Sequence, residues 1–491
     1  MVGYPRRSDW DQRHHTAPRR SADLPMCVAG MARSVAPIIA GGDEVMRRTK
    51  SSSRAGAVLL VFLFSLFAYP AAPAHAAQRV AKDVCSPVGI AREDFLIDMS
   101  SNLPRYAGLP AELDVRAVTP VFDGARSMDD KDERCRDMRR RAVIMLHGAM
   151  TEGTTSFDLQ FGDYSLMEGM ARAGIDAFAV NLLGYGFSTR FGLDDPCNAS
   201  AANQQRFLIP NPLSATCANP DPFRFTNTGA AVEQLDVVVD EVRQRTGVET
   251  VSLFGWSRGA VVMGAYAGLH PEKVRSLAFL ASGYDFPSDP PAQVPGPGPS
   301  LLVRDRESPR LGAAAPGMFT EWTPQLGANC PGQRDPAILD PIWNAVRARD
   351  PIGSSWGSTD ARLGGIQRAP SWDVWGWNSE RASTVTLPAL VITGLLDTTN
   401  PPEREVRLFE DLGSGNKVLI KIACASHQAL WEGSTTPTPD CMWEESPTLG
   451  WCGPHRSIRE ALVEWIRSRT FEGSHRGSFQ INPDGDPVSL D

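Results

Sequence analysis

The chain has 491 residues, 42% hydrophobic and 22% charged, with a formal net charge of −8 and nine cysteines. This is the composition of an ordinary globular protein, and it excludes a disordered, collagen-like or repeat chain and a small disulfide knot. The acidic balance also lacks the basic excess that neutralises phosphates, so nucleic acid is excluded as a partner.

Residues 1–45 are rich in Arg and Pro, show no helical or strand period, and predict no fold. A basic stretch from Met46 to Arg54 then leads into an uncharged apolar run, Ala55 to Ala68, and into Ala74-His75-Ala76. Those are the three regions of a secretory signal, assigned to 46–76 with cleavage near Ala76 and a secreted or periplasmic product. The apolar run is too short to span a bilayer, so no stable membrane anchor is expected. Arg47-Arg48 lacks the apolar pair that follows a twin-arginine motif, which favours general secretion. Because signals stand at a true N-terminus, translation is expected to start at Met46.

Beyond Ala76 the chain carries 52 Asp+Glu against 39 Lys+Arg and keeps eight cysteines. An even number suits disulfides in an oxidising compartment, and Cys197 with Cys217 and Cys441 with Cys452 could close local loops. No Cys-x-x-Cys pair or paired histidine spacing suggests a metal.

Short apolar runs then alternate with amphipathic stretches, the pattern of a largely parallel α/β sheet. The predicted strands are Arg141 to Leu146, Ile175 to Leu182, Thr250 to Phe254, Val274 to Leu280, Ala389 to Thr393 and Lys417 to Ile422. Between them, Ser165 to Ala173 and a run from Thr228 to the stop at Gly247 have helical spacing, and Ile458, Ala461, Leu462, Trp465 and Ile466 form the stripe of a closing helix. Core residues are thus expected in 77–284 and 387–471, with an insertion at 187–225. Residues 285–386 hold six prolines near their start and six tryptophans, too much Trp for disorder, and are expected to form a cap or lid. Residues 472–491 look like a polar, frayed tail.

Gly255-Trp256-Ser257-Arg258-Gly259 follows one predicted strand and precedes a small-residue helix, Ala260 to Leu269. A G-x-S-x-G in that context is a sharp turn that exposes its serine, with glycines where a side chain would collide with backbone. A serine needs a base. His427, just past the last predicted strand, fits that role better than His147, His270, His455 or His475. The imidazole needs a carboxylate, and Asp397, after the strand Ala389 to Thr393, is preferred over Asp285 and Glu403. The backbone amide of Arg258, at a helix N-terminus, can stabilise an oxyanion. Trp256, Met150 and Trp431 are candidate linings of an apolar acyl pocket, although Trp-rich sequence equally makes core. Asn198-Ala199-Ser200 matches a glycosylation acceptor.

With these residues in the order Ser257, Asp397, His427, the segment from about Arg141 to Arg469 resembles the α/β-hydrolase superfamily, in the branch with a plain His147-Gly148 and an inserted cap. The resemblance implies an eight-stranded, mostly parallel sheet flanked by helices, with its first strands within Phe95 to Phe122. It also implies a second oxyanion amide from Ala149, with Met150 the alternative. Serine at 257 stands where haloalkane dehalogenases and epoxide hydrolases carry aspartate, and the His-Gly-Gly-Gly loop of hormone-sensitive-lipase relatives is absent. Gly184 to Arg190 is weakly similar to proline iminopeptidases. The expected activity is hydrolysis of small-molecule carboxylic esters through an acyl-enzyme, without metal or organic cofactor. The alternatives are a peptidase or amidase of this fold, or a non-hydrolytic relative. The sequence sets no oligomeric state.

Overall fold

The structure, a computed structural model, describes residues 87–122, 141–291, 299–307, 317–330, 332–360, 362–433, 453–483 and 485–491. The signal segment, Cys85, Cys135, Cys441 and Cys452, and with them the expected Cys441–Cys452 loop, lie outside the described residues. Among the described residues no helix is long and apolar enough to cross a membrane.

Each apolar run of the sequence becomes a strand because its backbone can pair on both sides while its side chains alternate between two apolar layers. In chain order the strands are β1 (Gly89–Ser100), β2 (Pro110–Val121), β3 (Ala142–Leu146), β4 (Asp176–Asn181), β5 (Thr226–Asn227), β6 (Val251–Trp256) and β7 (Val274–Leu280). They continue as β8 (Leu301–Arg304), β9 (Gln367–Pro370), β10 (Trp372–Asp373), β11 (Ala389–Gly394), β12 (Lys417–Ile422), β13 (Gly477–Ile481) and β14 (Pro487–Ser489). Ten of them form one sheet in the order β1-β2-β4-β3-β6-β7-β11-β12-β13-β14. From β4 to β13 every neighbouring pair is parallel, and antiparallel pairs stand only at the two edges.

Strand β3 shows how the two layers arise. Val143 and Met145 enter one buried cluster, with Met167 and Met170 of the helix Leu166–Arg172 and Ile458, Leu462 and Trp465 of the helix Pro454–Ser468. Ala142, Ile144 and Leu146 enter the other, with Leu235 and Val239 of the helix Thr228–Thr246 and Val261 of the helix Arg258–Ala267. Gly247 ends the long helix with φ 71°, a left-handed cap that glycine adopts without a Cβ clash.

The sheet has two strands beyond the eight expected. Residues 472–491 do not fray: β13 lies parallel to β12, and β14 folds back on β13. Alternating Phe479 and Ile481 are buried, and the Phe479 ring meets Phe471 edge-on at 5.1 Å. Two apolar side chains are too few to announce a strand in a polar segment, yet they suffice once an open strand edge is beside them.

Residues 187–225 are tied by the Cys197–Cys217 disulfide. Asn198, in the glycosylation match, is buried and donates through Nδ2 to the Gly192 carbonyl at 2.7 Å. Between β7 and β11 the chain forms the antiparallel β8–β9 pair and short helices, among them Met318–Trp322 and Leu339–Ala348. Trp322, Trp343, Trp356 and Trp377 are buried there, shared between the two clusters of the main body.

Candidate active site

Strand β6 runs straight into Ser257, whose φ of 56° and ψ of −117° are strained for a residue with a side chain. Its amide donates to the Leu280 carbonyl at 2.9 Å, which holds the turn against β7. The flanking glycines are required sterically. A Cβ on Gly255 would stand 2.5 Å from the Ala260 Cα, and one on Gly259 would overlap the Leu146 carbonyl.

The ends of β11 and β12 bring the other two predicted residues to this turn. His427 Nε2 lies 3.0 Å from Ser257 Oγ, and His427 Nδ1 lies 2.8 Å from Asp397 Oδ2. The other carboxylate oxygen of Asp397 accepts the amides of Thr399 and Asn400, both at 2.8 Å. Asp397 and His427 are buried. The rival acids are elsewhere: Asp285 is exposed and faces Arg407, and Glu403 is exposed at the start of a helix. The other histidines are also placed apart. His147 is buried, donates to the Gly148 carbonyl, and is pushed down to about 3 by burial, so it stays neutral. His455 bonds Asp163 at 3.0 Å, while His270 lies near Glu272 and His475 is exposed.

The loop after β3 lies against the turn, with Gly148 so close that a Cβ would touch Ser257 Cβ at 3.5 Å. The Ala149 carbonyl accepts from the Tyr185 hydroxyl at 2.6 Å, and that hydroxyl accepts from Arg258 Nη1 at 3.1 Å. Arg258 is buried over the Trp372 ring, 4.8 Å from its centroid, and desolvation pulls its guanidinium below the usual range. Tyr185 therefore ties together the two residues expected to offer oxyanion amides.

A cavity of about 110 Å3 opens on Ser257 and His427. Met150 and Trp256 line it, and Trp431 does not. Trp431 is buried behind Trp256, edge-on at 5.4 Å, and beside Trp322 at 6.4 Å. Its large apolar area is buried within the core, away from this cavity. The opposite wall is charged: Arg304 and Glu321, 2.7 Å apart, both line the cavity.

Sequence reasoning missed the segment that holds the loops of Asp397 and His427 from behind. Gln325 Oε1 accepts the His427 amide at 3.1 Å and the Thr398 amide at 3.3 Å. Glu432 accepts from Ser426 N at 2.7 Å, Ser426 Oγ at 2.5 Å, Trp322 Nε1 at 2.7 Å and Gln333 Nε2 at 2.9 Å. Burial raises its carboxyl to about 7 despite these donors. A disulfide joins Cys330 to Cys424, three residues before His427. Glu405, also unforeseen, is fully buried near Asp397, accepts the Ser282 amide, and is raised well above the usual carboxylate range by desolvation. Among the described residues no group of three His, Cys, Asp or Glu could hold a metal ion.

Residues 141–434 match the alpha/beta hydrolase fold family. The fold is also similar to that of a thermophilic esterase from Thermogutta terrifontis, at 14% identity and a TM-score of 0.42, covering 76% of this chain and 98% of that one. A monoacylglycerol lipase from Paleococcus ferrophilus matches at 17% identity and a TM-score of 0.34, covering 68% and 96%. Among curated proteins, the poly(3-hydroxyalkanoate) polymerase subunit PhaC of Haloferax mediterranei is 42% identical over 52 residues. That stretch is 11% of this chain and 11% of that protein's length.

Proposed function

The chain belongs to the alpha/beta hydrolase fold family, and from that premise we propose that it is a serine hydrolase acting on carboxylic esters through Ser257, His427 and Asp397. The observation that carries this reading is the unbroken hydrogen-bond line from Ser257 Oγ through the imidazole to the Asp397 carboxylate.

In the first step Ser257 Oγ attacks the ester carbonyl while its proton passes to His427 Nε2. Asp397, fixed by two backbone amides, keeps the Nδ1–H tautomer and stabilises the imidazolium. The carbonyl oxygen becomes an oxyanion held by the amides of Arg258 and Ala149, with Met150 the alternative to the latter. One such donor contributes about 3 kcal/mol of transition-state stabilisation. His427 returns the proton to the departing alcohol, leaving an acyl-enzyme, and then activates the water that releases the acid. None of these steps calls for a cofactor, and the partner is a small-molecule ester. Export after cleavage near Ala76 belongs to the same proposal, and the Cys197–Cys217 and Cys330–Cys424 bridges are compatible with an oxidising compartment.

The test is turnover of p-nitrophenyl esters of graded acyl length beside prolyl and alanyl p-nitroanilides, with Ser257→Ala in parallel. Ester hydrolysis lost in the variant is the expected result. Anilide turnover alone would move the chain to the peptidases. No turnover by folded wild type would overturn the hydrolytic reading.

A further inference from the structure

The cavity beside Ser257 is small and one of its walls is charged, which sets a condition on the acyl group it takes. Arg304 ends β8, and its guanidinium is fixed by its cross-strand neighbour: Nε donates to Gln367 Oε1 at 2.5 Å. Gln367 is itself buried and donates through Nε2 to Thr151 Oγ1 at 3.1 Å, in the loop that follows β3. The cation is therefore braced through Gln367, which is itself held by Thr151. Nη1 donates to Glu321 Oε2 at 2.7 Å, and Nη2 has no hydrogen-bond partner among the described residues.

The two members of this ion pair are held unequally. The Arg304 side chain is 12% exposed and braced, whereas the Glu321 side chain is 41% exposed. Glu321 makes no other side-chain bond among the described residues. A half-exposed carboxylate gains little from such a pair, because water serves it nearly as well. The Arg304 guanidinium is largely removed from water and held in place, so it keeps a stronger demand for an anion than Glu321 keeps for a cation. Glu321 is thus a replaceable counter-ion: it can turn to solvent at small cost when another carboxylate enters, and Arg304 cannot follow. A guanidinium edge also matches a carboxylate in geometry, with parallel donors from Nη1 and Nη2.

We propose that Arg304 is a specificity-determining residue and that the preferred substrates are half-esters of short dicarboxylic acids, whose free carboxylate displaces Glu321 from Arg304. This rests on the reading of Ser257 as the nucleophile that the same cavity serves. The volume of about 110 Å3 gives room for a short acyl group beside Ser257. The charged wall disfavours an apolar one, because an alkyl group would bury the ion pair without replacing its hydrogen bonds.

The experiment compares p-nitrophenyl hemisuccinate with p-nitrophenyl 4-methylpentanoate, in which an isopropyl group takes the place of the carboxylate. The readout is the ratio of their kcat/KM values in wild type, Arg304→Met and Glu321→Gln. A charge-assisted pair gives a ratio of roughly tenfold or more in wild type, falling to near one in Arg304→Met and rising in Glu321→Gln, where the competing anion is gone. A ratio near or below one in wild type, or one that survives in Arg304→Met, overturns the proposal. Should Arg304→Met fail to fold, the Glu321→Gln ratio decides: an unchanged or lower value overturns it. Calorimetry with monomethyl succinate and methyl 4-methylpentanoate on Ser257→Ala reads the same preference without turnover. Loss of hydrolysis as the enzyme reading would then show separately from loss of carboxylate binding as this one.

Discussion

The turn at Ser257 and the segment from Trp322 to Gln333 both shape the same site, and they do so by opposite means. The turn is local. Five consecutive residues contain Ser257, its strained backbone and the two glycines that let β6 and its helix approach. The Trp322–Gln333 segment is remote in sequence from everything it touches. Gln325 reaches the loops of His427 and Asp397, and Trp322 and Gln333 converge on Glu432. Ser257 is thus positioned by its own neighbours, whereas His427 and Asp397 are positioned by a part of the chain about a hundred residues upstream of His427. Local geometry tolerates little change at a few positions, and remote geometry spreads the same task over many weaker contacts.

Substitutions on the two sides should therefore fail differently. On the local side, Ser257→Ala is expected to lower kcat by roughly ten-thousandfold or more while thermal stability holds, measured by ester turnover beside calorimetry. Residual turnover within tenfold of wild type would break the comparison at its root. On the remote side, the Cys330–Cys424 bridge closes a loop with a sequence separation of 94. Replacing both cysteines by serine is expected to cost about 4 kcal/mol of stability, read from denaturant midpoints under oxidising conditions.

Glu432 sharpens the contrast through pH. Its carboxyl is raised to about 7 in the folded protein, against an ordinary value of 4.5. The folded state therefore holds this proton more tightly than the unfolded state between those values, and stability falls as pH rises from about 4.5 to 7. The group contributes about 3 kcal/mol to that decline. In Glu432→Gln the slope should flatten over this window, whatever the absolute stability. An unaltered slope would remove Glu432 from the account. The smallest effect is expected at Gln325. Gln325→Ala releases the His427 and Thr398 amides, and misplacement of base and acid should lower kcat by about tenfold to a hundredfold with KM little changed. A change confined to KM would show that the segment shapes the cavity but does not hold the base and acid.

The same division decides what the sequence disclosed. The elbow was legible because strand, turn and helix are contiguous, and Asp397 and His427 were legible because each follows an apolar run that could only be a buried parallel strand. For Trp431, proximity to His427 in sequence leaves pocket and core both open, and only the fold shows its ring packed against Trp256 and Trp322. Gln325, Glu432 and Arg304 carried no signal: their partners lie in other segments, and only folding brings them together. The strands β13 and β14 escaped because edge pairing, rather than their own hydrophobicity, makes them strands.

The proposed hydrolysis requires that Ser257 be a nucleophile activated by His427. Reaction of the purified protein with a fluorophosphonate, followed by peptide mass mapping, tests it without any assumption about the natural substrate. A single adduct on Ser257 is expected, with its formation strongly slowed in His427→Ala. An adduct on another residue, or labelling of Ser257 at the same rate in both proteins, would contradict it.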